Sequence, residues 1–180
     1  MLVIFEGARN SGKTYLAQKA SEHNNIPLYK FEFVKWFNEL GLEDSSRSSH
    51  LFALGKELQL LQANRDGILH PIIVDRGFLT VLVWGVLSKR IDFDEAIEQL
   101  DKIVSSNLLE NCKVYYIHGD NPNKSDRNKD NWDFRDNTSD EKFLYEKFIH
   151  YILENYPSFN NFSIFSFENK FDETSIIKDL

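Results

Sequence analysis

Leu2-Val3-Ile4-Phe5-Glu6 runs directly into Gly7-Ala8-Arg9-Asn10-Ser11-Gly12-Lys13-Thr14. The apolar run has no polar alternation, as expected of a strand buried on both faces. The eight residues that follow satisfy G-x-x-x-x-G-K-[ST] at every position. Glycines at that spacing let the backbone coil tightly enough for successive N–H groups to point inward at a phosphate. A helix starting near Lys13 would add the positive end of its dipole. Lys13 is expected to reach β- and γ-phosphate oxygens, and the Thr14 hydroxyl to ligand Mg²⁺. Gly7, Ala8, Arg9, Asn10, Ser11 and Gly12 form the rest of the expected nucleotide cradle, and Arg9 either touches phosphates or points to water.

Downstream, strand and helix patterns alternate. Tyr15–His23 reads as a helix stopped by Asn24-Asn25, and Ile26–Phe33 as a second strand, shortened by Pro27. Leu51, Leu54, Leu58 and Leu61 recur at helical spacing up to Asp66-Gly67. Ile72-Ile73-Val74 is a third strand and Phe78–Leu87 a helix. Asp92 and Glu95 suggest a capping box before another helix, and Val114–Ile117 a fourth strand. Thr138 and Glu141 suggest a second capping box, opening a helix to about Tyr156. Phe162–Phe167 closes the series as a fifth strand, with a short helix after it. Such alternation predicts an α/β fold with a parallel sheet covered on both faces. The interruption is 119–137, poor in aliphatic residues and rich in Asn, Asp and Lys. A loop of that length inside a compact domain suits a lid.

Asp75-Arg76 follows the third strand. Ligands of open α/β sheets bind beyond the carboxyl ends of the strands, which puts both residues beside the phosphate loop. Asp75 is expected to hold Mg²⁺ through a water or to accept a proton, and Arg76 to clamp an acceptor phosphate or the transferring group. Glu32, at the end of the second strand, suits a base for a hydroxyl acceptor. Trp36, one turn later, either lines a base pocket or packs in the core. Phe31, Phe33, Phe37, Phe52 and Phe78 read as core residues, one of which might instead stack on a base. In the lid, Arg127 and Arg135 bracket Trp132, with Lys124 and Lys129 nearby; such cations neutralise charge that develops in phosphoryl transfer. Arg47 and Arg65 read as surface residues. The five histidines lack metal-ligand spacing, which argues against structural zinc.

At 180 residues the chain suits one domain. It has no apolar run of membrane-spanning length and no secretory signal pattern, so neither membrane nor export is expected. The lone Cys112 fits a reducing compartment, and a cytoplasmic location follows. Its net charge of −7 argues against broad DNA coating. Oligomeric state stays open, a homodimer included.

Phe5-Glu6-Gly7 through Thr14, with the helix, strand and Asp-Arg of Leu51–Arg76, resembles thymidylate kinases and the wider P-loop nucleoside and nucleotide kinase superfamily. Glu32 and Trp36 also resemble the Glu-x-Val…Trp region of deoxynucleoside kinases, with one residue fewer between them. The resemblance implies a three-layer P-loop kinase fold with a five-stranded parallel core and a lid. It further implies ATP·Mg²⁺ as donor and a nucleoside or nucleotide as acceptor, with Arg76 facing the acceptor and Arg127 or Arg135 in the lid. Gly77-Phe78-Leu79-Thr80-Val81 is more apolar than the stretch those enzymes use to read the nucleotide. Two alternatives accompany this expectation. One is a phage-type kinase acting on hydroxymethylated bases or hydroxyls of DNA, consistent with a composition that suits an AT-rich genome. The other is a nucleotide-dependent switch, which would want an Asp-x-x-Gly after a strand; none follows a predicted strand here.

Overall fold

The computed structural model describes residues 1–118, 138–157, 159 and 162–166. Eleven elements follow one another: β1 Leu2–Glu6, α1 Lys13–Asn24, β2 Leu28–Lys30, α2 Phe33–Leu40, α3 Arg47–Arg65, β3 Ile72–Asp75, α4 Phe78–Leu87, α5 Phe93–Ser105, β4 Cys112–His118, α6 Thr138–Asn155 and β5 Phe162–Ser166. The five strands form one sheet in the order β2-β3-β1-β4-β5, with every pair parallel. The central strand β1 is buried along its whole length, as its unbroken apolar run predicts.

Side-chain alternation sends successive β1 residues into two different cores. Leu2 and Ile4 join Val74, Val114 and the apolar faces of α3, α4, α5 and α6. Val3 and Phe5 join Ile73, Ile117 and the inner face of α1. The result is three layers, helix on sheet on helix. No described helix is long and apolar enough to cross a membrane.

Several local expectations need correction. β2 spans only Leu28–Lys30, so Glu32 is the residue before α2 rather than a strand end. In α3 the inward face carries Ala53, Leu54, Glu57, Leu61 and Asn64, while Leu51 is exposed. Asp92 does cap α5, accepting from Glu95 N at 2.8 Å. Glu141 instead turns its carboxylate to other elements, as described below. The expected lid, 119–137, and the expected C-terminal helix lie outside the described residues.

Candidate active site

Because all strands are parallel, their carboxyl ends share one edge of the sheet, and the loop after β1 sits at its centre. Gly7 is required there. Its φ is +148°, and a Cβ would fall 2.6 Å from the Ile117 carbonyl oxygen and 2.8 Å from Ser11 Oγ. The chain then turns through left-handed Asn10 (φ +65°) and Gly12 (φ +87°) into α1. No side chain caps α1, so its first-turn N–H groups stay available to an anion. Ser11 Oγ is buried with no hydrogen-bond partner. Lys13 is buried and donates from Nζ to the Ala8 carbonyl at 3.0 Å. Burial and then the Arg76 charge pull its ammonium down to about 7; Asp75, Glu141 and Glu6 oppose the fall.

Asp75 shares the β3 face of Ile73, the face toward α1, which explains its electrostatic contact with Lys13. It is buried, and its Oδ1 has no partner. Arg76 departs from the sheet at φ +78°, a left-handed conformation that costs a non-glycine residue roughly 1 kcal/mol or more. Its N–H donates to the Phe5 carbonyl at 3.0 Å, tying the turn to β1. Gly77 permits a close approach, since a Cβ there would lie 2.6 Å from Ile4 Cγ2 and 3.1 Å from Glu6 Oε1.

Three carboxylates beside these motifs were not singled out in the sequence. Glu6 is fully buried on the Ile4 face and accepts from Leu79 N at 2.9 Å, Thr80 N at 3.4 Å and Thr80 Oγ1 at 2.6 Å. It thereby caps α4, whose N-terminal Gly77 has no side chain to do so. Burial outweighs these bonds and raises the carboxyl to about 7. Glu57 is fully buried with neither oxygen partnered, and Oε2 lies 3.7 Å from the Gly77 Cβ position. Burial first, then the nearby Glu6, pushes it well above the ordinary range. A charged residue at helical spacing from Ala53, Leu54 and Leu61 was its available signal.

Glu141 is the third. From the first turn of α6 it accepts from Arg9 N at 3.2 Å and Trp84 Nε1 at 3.3 Å, with Arg9 Nε 3.5 Å away. The Arg9 guanidinium lies 4.6 Å from the centre of the Trp84 ring. Arg9 is thus held against α4 and α6 rather than left in water.

A cavity of about 950 Å³ opens beside the phosphate loop, between α2, α3 and α4. Arg9, Asn10 and Arg76 line it together, as do Phe31, Phe33, Phe37, Val81 and Trp84. Arg90 and Asp44 also belong to its wall. Glu32 lines it too, but its side chain is 56% exposed and pairs with Lys35 Nζ at 3.2 Å. Trp36 does not line the cavity; it packs edge-on against Phe31, Phe33 and Phe52 in an aromatic cluster. Phe78 is core. Arg47 pairs with Glu95, and Arg65 with Asp66 and the Ser106 carbonyl, away from the cavity. Arg127 and Arg135 lie outside the described residues.

No protein-family model and no curated protein sequence matches the chain. Solved structures do. A deoxyadenosine kinase from M. mycoides, solved with dCMP and dCDP, is 13% identical and superposes with a TM-score of 0.57 over 99% of this chain and 95% of its own. The thymidylate kinase of Ehrlichia chaffeensis is 15% identical, with a TM-score of 0.57 and the same coverages. YorR of Bacillus subtilis, solved with phosphorylated GDP, is 18% identical, with a TM-score of 0.57 over 99% of this chain and 92% of its own. The chain has the fold of the P-loop nucleoside and nucleotide kinases.

Proposed function

We propose that the chain is a phosphotransferase that moves the γ-phosphate of ATP, with Mg²⁺, onto a nucleoside monophosphate. The observation that carries the acceptor side is the meeting of Arg9 and Arg76 with Asn10 in one cavity wall next to the Lys13 loop. Two guanidiniums suit an anionic acceptor, because each binds phosphate oxygens with charge-assisted N–H donors. A hydroxyl acceptor would need a free base. Glu32 is exposed and ion-paired with Lys35, while Glu6 and Glu57 are sealed in the core.

The donor side fits the residues present. The Gly7 turn, the uncapped start of α1 and the unpartnered Ser11 Oγ make a cradle for polyphosphate oxygens. Thr14 and Asp75 would hold Mg²⁺. Among the described residues no three His, Cys, Asp or Glu side chains gather into a metal site. The cation would therefore share these two ligands with phosphate oxygens and water. When bound, ATP·Mg²⁺ supplies the phosphoryl group and the metal charge on its oxygens.

The chain's own part is positioning and charge. Lys13 leaves the Ala8 carbonyl for β- and γ-oxygens and takes up a proton as it meets their charge. Arg76 and Arg9 align the acceptor phosphate, and Arg127 or Arg135 adds positive charge from 119–137. The test is a radiolabelled γ-phosphate transfer screen against nucleosides, nucleoside monophosphates and DNA with plain or hydroxymethylated bases. Label on monophosphates is expected. Label on nucleosides alone would return the base role to Glu32, label on DNA would make the chain a modification enzyme, and free phosphate alone would make it a switch.

A further inference from the structure

The cavity has a second polar end that phosphate transfer does not use. Arg90 sits in the turn after α4, fixed by left-handed Lys89 (φ +54°) and by bonds from Arg90 N and Ile91 N to the Gly85 carbonyl at 2.9 and 3.3 Å. Its side chain is only 5% exposed, and Nη2 donates to Asp44 Oδ1 at 2.7 Å. The guanidinium carbon lies 5.7 Å from the centre of the Phe37 ring. Nε is buried with no acceptor at all. A buried cationic donor left unpaired is costly, so one in a cavity wall marks a place where a ligand atom completes the bonding. Asp44 is 54% exposed and has a second oxygen to offer. Phe31, Phe33, Phe37 and Trp84 give the same cavity flat apolar surface suited to a ring.

We infer that Arg90 and Asp44 read the base of the acceptor, Arg90 donating to an exocyclic carbonyl oxygen and Asp44 accepting from the ring N–H beside it. The recessed guanidinium is reached by the group that projects from the ring, and the exposed carboxylate by the ring edge. Guanine, thymine and uracil present that order. Adenine and cytosine project an amino group instead, which would set donor against donor. The inference rests on the reading of this cavity as the acceptor site.

The test is equilibrium binding of dGMP, dTMP, dCMP and dAMP to wild type, Arg90→Met and Asp44→Asn, with ATP binding as the check on the fold. Wild type is expected to favour dGMP or dTMP over both amino bases by about tenfold or more. Arg90→Met should remove that preference while leaving the weaker pair unchanged, and Asp44→Asn should weaken only the keto nucleotides. Should Arg90→Met fail to fold, the exposed Asp44→Asn decides. Equal weakening of all four nucleotides, a preference untouched in the variants, or a wild type that favours dAMP or dCMP would sink this inference alone. A wild type that binds ATP but none of the four would overturn the acceptor site itself.

Discussion

Arg9 and Glu141 meet across 132 residues of chain: the Arg9 N–H donates to Glu141 Oε2 at 3.2 Å, and Arg9 Nε lies 3.5 Å from the same oxygen. One buried carboxylate at the start of α6 thus fixes both backbone and side chain of a phosphate-loop residue. Glu141→Ala should leave Arg9 N and Trp84 Nε1 without acceptors and lower stability by about 1–3 kcal/mol. Glu141→Gln keeps an acceptor but frees the guanidinium. It should raise the acceptor KM while the KM for ATP stays near wild type. Thermal melts and the two KM values check both statements, and equal changes in both KM values would reduce Glu141 to a packing residue.

Lys13→Met should cost about 10³-fold or more in transfer rate while leaving the far-ultraviolet circular dichroism of wild type. The depressed ammonium adds a second readout. With a value of about 7 in the free protein, Lys13 is mostly neutral at pH 8 and becomes charged against polyphosphate. Titration calorimetry at pH 8 in buffers of different ionisation enthalpy should therefore show proton uptake when ATP binds. The uptake should vanish in Lys13→Met, and a wild type with none would remove this account of the lysine.

Glu6 and Lys13 predict opposite limbs of a stability–pH curve. Glu6 is raised from 4.5 to about 7, so between those values the folded state holds a proton that the unfolded chain has lost, and stability falls as pH rises. Lys13 is lowered from 10.5 to about 7, so from there upward the unfolded chain holds the extra proton and stability rises. Denaturant unfolding from pH 4 to 10 should show the falling limb flattened in Glu6→Gln and the rising limb flattened in Lys13→Met. Parallel curves for wild type and both variants would contradict the environments assigned to them.

Arg76→Ala should weaken acceptor use by about 10²-fold, with ATP affinity changed severalfold at most. Glu32→Gln should leave transfer to a monophosphate within about twofold, because its exposed carboxylate is already paired with Lys35. Steady-state kinetics with each substrate varied decides. Equal losses toward ATP and acceptor in Arg76→Ala would detach that residue from the acceptor, and a large loss in Glu32→Gln would restore it as a base.

Much of the fold could be read in advance because the signals were local. The unbroken run of β1, the G-x-x-x-x-G-K-[ST] loop and the Asp92 cap each act over a few residues, and all five strands were found. The site was harder to read where its parts come from different elements. Glu6 looked like the end of a strand; its role as the cap of α4 depends on β1 and β3 lying side by side, which no spacing shows. Glu141 offered a helix-start pattern, but the buried Arg9 and Trp84 donors claim its carboxylate. Arg90 gave no signal at all, because only the turn after α4 carries it to the cavity. Glu32 was misplaced because β2 is an edge strand of three residues, and α2 begins where the apolar pattern continues.

The position of β1 also bears on how the molecule assembles. Its two neighbours lie far along the chain, with Leu2 opposite Ile72 on one side and Cys112 on the other. Two long loops must close before the strand is complete, a topology that slows folding relative to local pairing. The phosphate loop shares that delay, since Gly7 packs against the Ile117 carbonyl of β4. Nucleotide affinity should therefore emerge late in refolding, together with the docking of β4, and a chain cut short of Cys112 would carry the full motif without a wall to hold it.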